Sequence, residues 1–229
     1  MTKLGLIVPT SNTVNEAEWK RMAPSNVTFE VARMPLHTEI EGLHEDLRKA
    51  MASVSGCDVM VYACTAGSMA LPLDSLTSFM QEVSGKPAVA TAPALVHACR
   101  ALGLTRIALA TPYHDALNEH EVSFFSDNGI RALHVRGLGI GTGGPHEYVQ
   151  IARVPKDKVY EHCRDADVPE AQGLIISCTD FAALEAVPRL EAELGKPVIS
   201  SNLATFWSAL RTAGLREPIA GFGRLLGKH

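Results

Sequence analysis

The apolar positions of this chain fall into two textures. Short unbroken runs recur, among them Leu6-Ile7-Val8, Val59-Met60-Val61-Tyr62-Ala63, Ile107-Ala108-Leu109-Ala110 and Leu174-Ile175-Ile176. Runs this short, apolar at every position, predict strands buried on both faces, as in parallel sheets. Between them lie longer amphipathic stretches such as 94–102 and 204–212, each closed by a glycine, Gly103 or Gly214. Glycine just past the last apolar turn is a helix stop signal. Strand and helix in alternation predict βαβ units and an α/β fold.

The alternation runs through the chain twice. Gly5-Leu6-Ile7-Val8-Pro9 is followed five residues later by Asn15-Glu16, and Ile107-Ala108-Leu109-Ala110-Thr111-Pro112 by Asn118-Glu119 at the same spacing. A second strand follows in each half, over 27–33 and 130–135. Each half then reaches an apolar run ending in Cys-Thr, at Cys64-Thr65 and Cys178-Thr179, and a Gly-Lys-Pro strand start, at Gly85 and Gly195. The expected architecture is two pseudo-symmetric Rossmann-like lobes with parallel sheets, the active site lying in the cleft between them. Residues 1–93 with 203–229 form the first lobe, and 94–202 the second. Ligands of open α/β sheets bind beyond the carboxyl ends of the strands, so the two Cys-Thr tips are expected to face each other across that cleft.

Composition narrows the function. The net charge is -4 with no basic stripe, which argues against a nucleic-acid partner. No apolar run approaches the roughly 18 residues of a membrane span. An odd count of five cysteines, and a strand that begins at once with no room for a signal peptide, predict a reducing, cytoplasmic location. Cys57, Cys99 and Cys163 end no strand-like run and read as small buried hydrophobes. There is no CxxC, HxH, HxxxH or HExxH spacing and no P-loop, and the glycine run 137–144, whose Gly139, Gly141 and Gly144 fit GxGxxG, is too irregular for a dinucleotide loop, so neither metal nor cofactor is expected.

The chemistry concentrates in four loops. The hydroxyls and amide of Pro9-Thr10-Ser11-Asn12-Thr13 can cap the following helix or bind an anion there; Ser11 and Asn12 are the substrate-binding candidates, Asn12 the better because capping needs it less. After Cys64 the small residues Thr65, Ala66, Gly67 and Ser68 let a helix start at once. Its N-terminus is expected to lower the thiol pKa, and the N–H groups of Thr65 and Ala66 offer an oxyanion site. Cys178-Thr179-Asp180-Phe181 is expected to repeat this layout, with Asp180 as a cap. Tyr113 would bring a hydroxyl to the cleft, while the adjacent His114 reads as a solvated loop histidine. Gly137 to Gly144 reads as a flexible segment, beyond a strand, that closes over the cleft.

Two opposed thiols serve a carbon acid from both faces, which is racemisation without a cofactor, or add to and leave an activated alkene, which is cis-trans isomerisation. A disulfide switch requires bonding geometry that a ligand-sized gap forbids. A protein that only binds carboxylates is the non-enzymatic alternative.

Val8-Pro9-Thr10-Ser11-Asn12-Thr13, Ala63-Cys64-Thr65-Ala66-Gly67-Ser68 and Ser177-Cys178-Thr179 resemble the aspartate/glutamate racemase superfamily, in its branch of maleate cis-trans isomerases and arylmalonate decarboxylases. Arg100-Ala101-Leu102-Gly103, 108–113, Phe206-Trp207 and 221–225 are similar to the decarboxylases. The resemblance implies a metal-free, cofactor-free isomerase, a homo-dimer or homo-tetramer, acting on a small dicarboxylate such as maleate. Cys64 would be the nucleophile and Cys178 the proton donor, with Asn12, Tyr113, Thr65 and Thr179 holding carboxylates. The decarboxylases have glycine at the first cysteine position, so Cys64 points away from simple decarboxylation. The isomerases carry a further asparagine where this chain reads Gly141 to Tyr148; His146 is the substitute expected there. Racemase and decarboxylase remain the alternative readings.

Overall fold

The computed structural model describes residues 1–229. The first half runs β1 (Thr2–Pro9), α1 (Asn15–Met22), β2 (Val27–Met34), α2 (Leu43–Ser53), β3 (Val59–Tyr62), α3 (Thr65–Ser68), α4 (Ser75–Ser84), β4 (Ala88–Ala90) and α5 (Thr91–Ala101). The second runs β5 (Arg106–Tyr113), α6 (Asp115–Asp127), β6 (Arg131–Ile140), a 3₁₀ segment Pro145–Arg153, α7 (Lys156–Ala166), β7 (Gly173–Ile176), α8 (Ala186–Leu194), β8 (Val198–Ser200), α9 (Ser201–Thr212) and α10 (Arg224–Lys228). Each half forms a four-stranded parallel sheet, ordered β2-β1-β3-β4 and β6-β5-β7-β8. The identical order is the structural form of the repeat read in the sequence.

β1 and β3 are the inner strands of one sheet, β5 and β7 those of the other, and β3 and β7 are buried at every position. Leu4 to Ile7 pair with Val59 to Tyr62 on one side and Phe29 to Ala32 on the other. Gly5 is required there, because an added Cβ would come 2.8 Å from the Cys57 sulfur. The long helices α5 and α9 end alike. Leu104 donates its N–H to the Cys99 carbonyl and Leu215 to Leu210, across Gly103 and Gly214 with φ of +69° and +80°. Both helices begin about three residues before the predicted starts, at Thr91 and Ser201. The Ser200 side chain accepts the Leu203 N–H and so fixes the start of α9.

α9 is buried at every position from Ser201 to Leu210, as expected of a helix packed on all sides. It lies against α5, α1, β3, β4 and β8, so one core cluster of 54 residues runs through both sheets. A second cluster of 16 residues lies under α2 and α4. No helix is long and apolar enough to cross a membrane.

A line of buried polar groups crosses this core where the halves meet. Asn202, 1% exposed, accepts from Asn15 Nδ2 at 2.6 Å and donates to Glu18 Oε2 at 2.7 Å and to the Thr179 carbonyl at 3.0 Å. Trp19 Nε1 donates to the Asn202 carbonyl at 3.2 Å. Burial raises the Glu18 pKa, and the Asn202 amide is the largest opposing influence. Asn202→Ala therefore leaves a buried carboxylate and a buried amide short of partners, at a cost of about 3 kcal/mol. The expected result is a melting temperature lowered by roughly 5–10 °C, read by calorimetry, with helix content by circular dichroism unchanged at 20 °C.

Candidate active site

The strand tips of the two sheets converge on one cleft. Ser11, Asn12, Cys64, Thr65, Ala66, Tyr113, Cys178 and Thr179 all line it, together with Asp180. The sequence missed its apolar wall: Leu36, Leu117 of α6, and Tyr148 and Ile151 of the 3₁₀ segment. The signal that would have found the last pair is Pro145, which opens a helical turn and sets Tyr148 and Ile151 on one side of it.

Cys64 lies two residues beyond β3 and caps α3. Its Sγ accepts the Gly67 N–H at 3.4 Å, and Ser68 Oγ donates to its carbonyl at 2.6 Å. The first N–H groups of α3, on Thr65 and Ala66, have no intrahelical acceptor and border the cleft. The expected lowering of the Cys64 pKa does not occur. The thiol is 3% exposed and burial raises its pKa, against which the Gly67 N–H and the Tyr62 hydroxyl act as smaller opposing effects. One turn of helix carries too small a dipole to offset that desolvation.

Cys178 departs from the expected layout. No helix follows it; the chain turns at Thr179–Asp180, and the next helix starts at Ala186. Cys178 has φ of +90°, a left-handed conformation that costs a non-glycine residue on the order of 1–3 kcal/mol. Three contacts hold it there. Its N–H donates to Ser201 Oγ at 3.0 Å, its Sγ accepts the Asp180 N–H at 3.4 Å, and its carbonyl accepts the Phe181 N–H at 3.3 Å. The Tyr113 hydroxyl acts to lower the thiol pKa, but burial outweighs it and pushes Cys178 up to about 12.

The loops are tied together across the lobes. Ser201 Oγ also meets Thr65 Oγ1 at 3.0 Å. Thr179 Oγ1 donates to the Ala63 carbonyl and accepts from Asn12 Nδ2, both at 3.1 Å. Asn12 is not spared from capping as expected: its Oδ1 accepts the N–H groups of Val14 and Asn15 at 3.2 and 3.0 Å. Its carboxamide faces the cleft while serving the helix start, because the loop turns back on itself before α1. Asp180 caps as expected, but across the cleft, taking the Thr13 and Val14 N–H groups at 2.8 and 3.1 Å. Burial raises Asp180 to about 6, despite those bonds and Arg33.

The glycine run also differs from expectation. Gly137 to Ile140 belong to β6, and only Gly141 to Gly144 form a turn. The Glu147 carboxylate accepts the Gly141 and Gly143 N–H groups at 2.9 and 3.1 Å, which lowers its pKa and fixes the turn. Tyr148 is thereby set over the cleft, its hydroxyl 3.4 Å from His114 Nε2. His114 is thus half-buried and paired, not solvated. His146 is exposed and does not line the cleft; it stands at the turn's outer side.

No lysine or arginine lines the cleft. Anion binding there rests on neutral hydroxyls, a carboxamide and free backbone N–H groups, with Arg33 Nη1 behind them on the Asn12 carbonyl at 2.7 Å. An α/β protein of two like lobes, with one thiol from each at a shared cleft, defines the class: a two-lobed enzyme with its cleft between the strand tips of two parallel sheets. The chain belongs to the arylmalonate decarboxylase family, whose pattern matches residues 4–226. It is 31% identical to the arylmalonate decarboxylase of Bordetella bronchiseptica over 97% of this chain and 95% of that one. It is similar to a cysteine-to-alanine variant of maleate isomerase Iso from Pseudomonas putida S16, solved with maleate. That likeness has a TM-score of 0.89, 27% identity, and covers 98% and 97% of the two chains. It is also similar to a cysteine-to-serine variant of Nocardia farcinica maleate cis-trans isomerase with a covalently bound succinylcysteine intermediate. There the TM-score is 0.88, the identity 28%, and the coverage 100% and 99%.

Both cleft thiols are protonated at neutral pH in the unliganded protein, since burial raises each pKa. Alkylation of Cys64 and Cys178 by iodoacetamide is expected to be slow at pH 7.5 and to rise about tenfold per pH unit from there up to at least pH 9. Peptide mass mapping over a pH series reads both rates; a plateau below pH 8 would contradict the burial argument.

Proposed function

We propose that the protein is a cofactor-independent cis-trans isomerase that converts maleate to fumarate. The observation that carries this reading is the pair of free thiols at one cleft, Cys64 and Cys178, each beside free N–H and hydroxyl donors. The succinylcysteine intermediate of the Nocardia enzyme supports it.

In this mechanism one substrate carboxylate sits on the Thr65 and Ala66 N–H groups with the Thr65 hydroxyl. The other meets Asn12, Tyr113 and Thr179, and Ser11 borders it. Cys64 first loses its proton to solvent; the thiolate adds to C2 and the π pair moves to C3, where the adjacent carboxylate spreads the charge. Cys178 then donates its proton to C3, leaving a succinyl thioether and a Cys178 thiolate. Rotation about the new C2–C3 single bond brings the carboxylates trans. Cys178 takes a proton back from C3, the double bond re-forms, and the C–S bond breaks to return the Cys64 thiolate. The cycle takes up no net proton. Substrate carboxylates held by preorganised donors in a dry cleft lower the barrier most where charge develops at C3.

A second reading has its own observation. Leu36, Leu117 and Ile151 make one wall of the cleft apolar, which suits an aryl group and so a 2-aryl malonate. Proton NMR in heavy water on separate incubations with maleate and phenylmalonate distinguishes the two, by fumarate formation or CO₂ loss.

Cys64→Ala is expected to reduce maleate turnover at least 10³-fold, as loss of a nucleophile does. Cys178→Ser is expected to slow turnover and to accumulate a Cys64 adduct heavier by one maleate in intact-protein mass spectra. Full activity in Cys64→Ala would sink the assignment.

A further inference from the structure

Glu121 stands apart from every other buried carboxylate. Glu18 has Asn202 and the Leu184 N–H, Asp180 has the Thr13 and Val14 N–H groups, and Glu191 has the Val198 and Arg224 N–H groups. Glu121 lies on α6 one turn beyond Leu117, is 0% exposed, and neither carboxyl oxygen has a hydrogen-bond partner. The group it faces is the hydroxyl of Ser177, itself 0% exposed and without a completed bond. Ser177 immediately precedes Cys178. From β5, the buried Tyr113 is close enough that a charge on Glu121 raises its pKa, and Tyr113 in turn acts on the Cys178 thiol. No cation acts on Glu121, and the neighbouring His120 is turned to the Met69 carbonyl at 3.1 Å.

A leucine here would avoid the desolvation that a lone buried carboxyl suffers. Resting on the isomerase reading above, we propose that Glu121 is a positioning residue that governs the protonation of the Cys178–Tyr113 pair. As a neutral acid it leaves Tyr113 free to bind a carboxylate and lets Cys178 part with its proton. As a carboxylate it sets a second negative charge behind Tyr113, against both the anionic ligand and the Cys178 thiolate. Burial raises the Glu121 carboxyl to about 7, so both states occur around neutral pH. The only bond change in the switch is loss of the carboxyl proton to solvent.

Two measurements test this, one with turnover and one without. The kcat/KM of the wild type for maleate is expected to climb with pH as the Cys64 thiolate forms and to level off above the Glu121 ionisation, where loss of the neutral acid offsets the gain in thiolate. In Glu121→Gln that break moves up by at least about one pH unit. Separately, the Cys178 alkylation profile in a Cys64→Ala background is expected to shift to lower pH when Glu121→Gln is added, because the opposing charge is gone. That arm needs no substrate, so it reads the coupling even if maleate proves not to be turned over. Ser177→Ala is the second variant. It removes the hydroxyl that holds the Glu121 pKa down, so the break in the rate profile moves up there as well. Unchanged alkylation profiles in both variants, with altered melting temperatures alone, would overturn the proposal and leave Glu121 a structural residue.

Discussion

One hydroxyl, Ser201 Oγ, holds the two halves of the site in register. It accepts the Cys178 N–H and meets Thr65 Oγ1, each at 3.0 Å. The first contact keeps Cys178 in a left-handed conformation that an unsupported L-residue leaves. The second joins that strained turn to the start of α3, and so to Cys64. Because Ser201 opens α9, the helix shared by both sheets, the relation between the thiols is set by the common core and not by either lobe alone. Asn12–Thr179–Ala63 and Asp180–Thr13 repeat the arrangement a few ångströms away. A cavity whose walls are fixed by bonds between the lobes carries little reorganisation cost when a ligand enters, which is the condition for preorganised electrostatics.

The charge logic of the cleft follows from its burial. A site lined by cations would bind any anion strongly and hold Cys64 and Cys178 as thiolates before a substrate arrived. This cleft instead keeps the thiols neutral by desolvation and offers dipoles. Dipoles discriminate by position and cost no ion-pair desolvation. Arg33 contributes from one layer back, through the Asn12 carbonyl, where it biases the potential without pairing directly to a ligand.

The parts of the fold legible in the sequence were those governed by continuous apolar runs and by backbone stops. Leu174-Ile175-Ile176 has no other role than a central strand, and Gly103 and Gly214 adopt the conformation that ends a helix. Repeat spacing then carried the inference from two strands to two lobes, and the cleft residues named from the Cys-Thr tips do meet in one place. What stayed hidden was set by contacts between distant segments. The turn after Cys178 exists because Ser201, 23 residues on, takes its N–H, and a run of letters matching Cys64-Thr65 gave no sign of it. The double duty of Asn12 depends on Thr179, 167 residues away. The thiol pKa shift was misjudged for the same reason: a helix start can be read locally, but the depth of burial around it cannot. Tyr148 was overlooked because its neighbours looked like loop, although the Glu147 clasp makes that loop ordered.

The broken symmetry between the cysteines has a stereochemical consequence. Cys64 sits at a helix start beside free N–H groups, while Cys178 sits in a strained turn across the cleft, under the influence of Tyr113. A planar, symmetric alkene placed between them meets two chemically different faces. Its mirror-related binding modes are therefore unequal in energy, and the pocket treats enantiotopic positions of an achiral molecule as distinct. Any hydrogen delivered from the Cys178 side reaches carbon from one direction only. A duplicated half-site that drifted apart in this way has turned a nearly twofold cavity into a chiral one, and handedness of product is then a property of the fold before it is a property of any particular substrate.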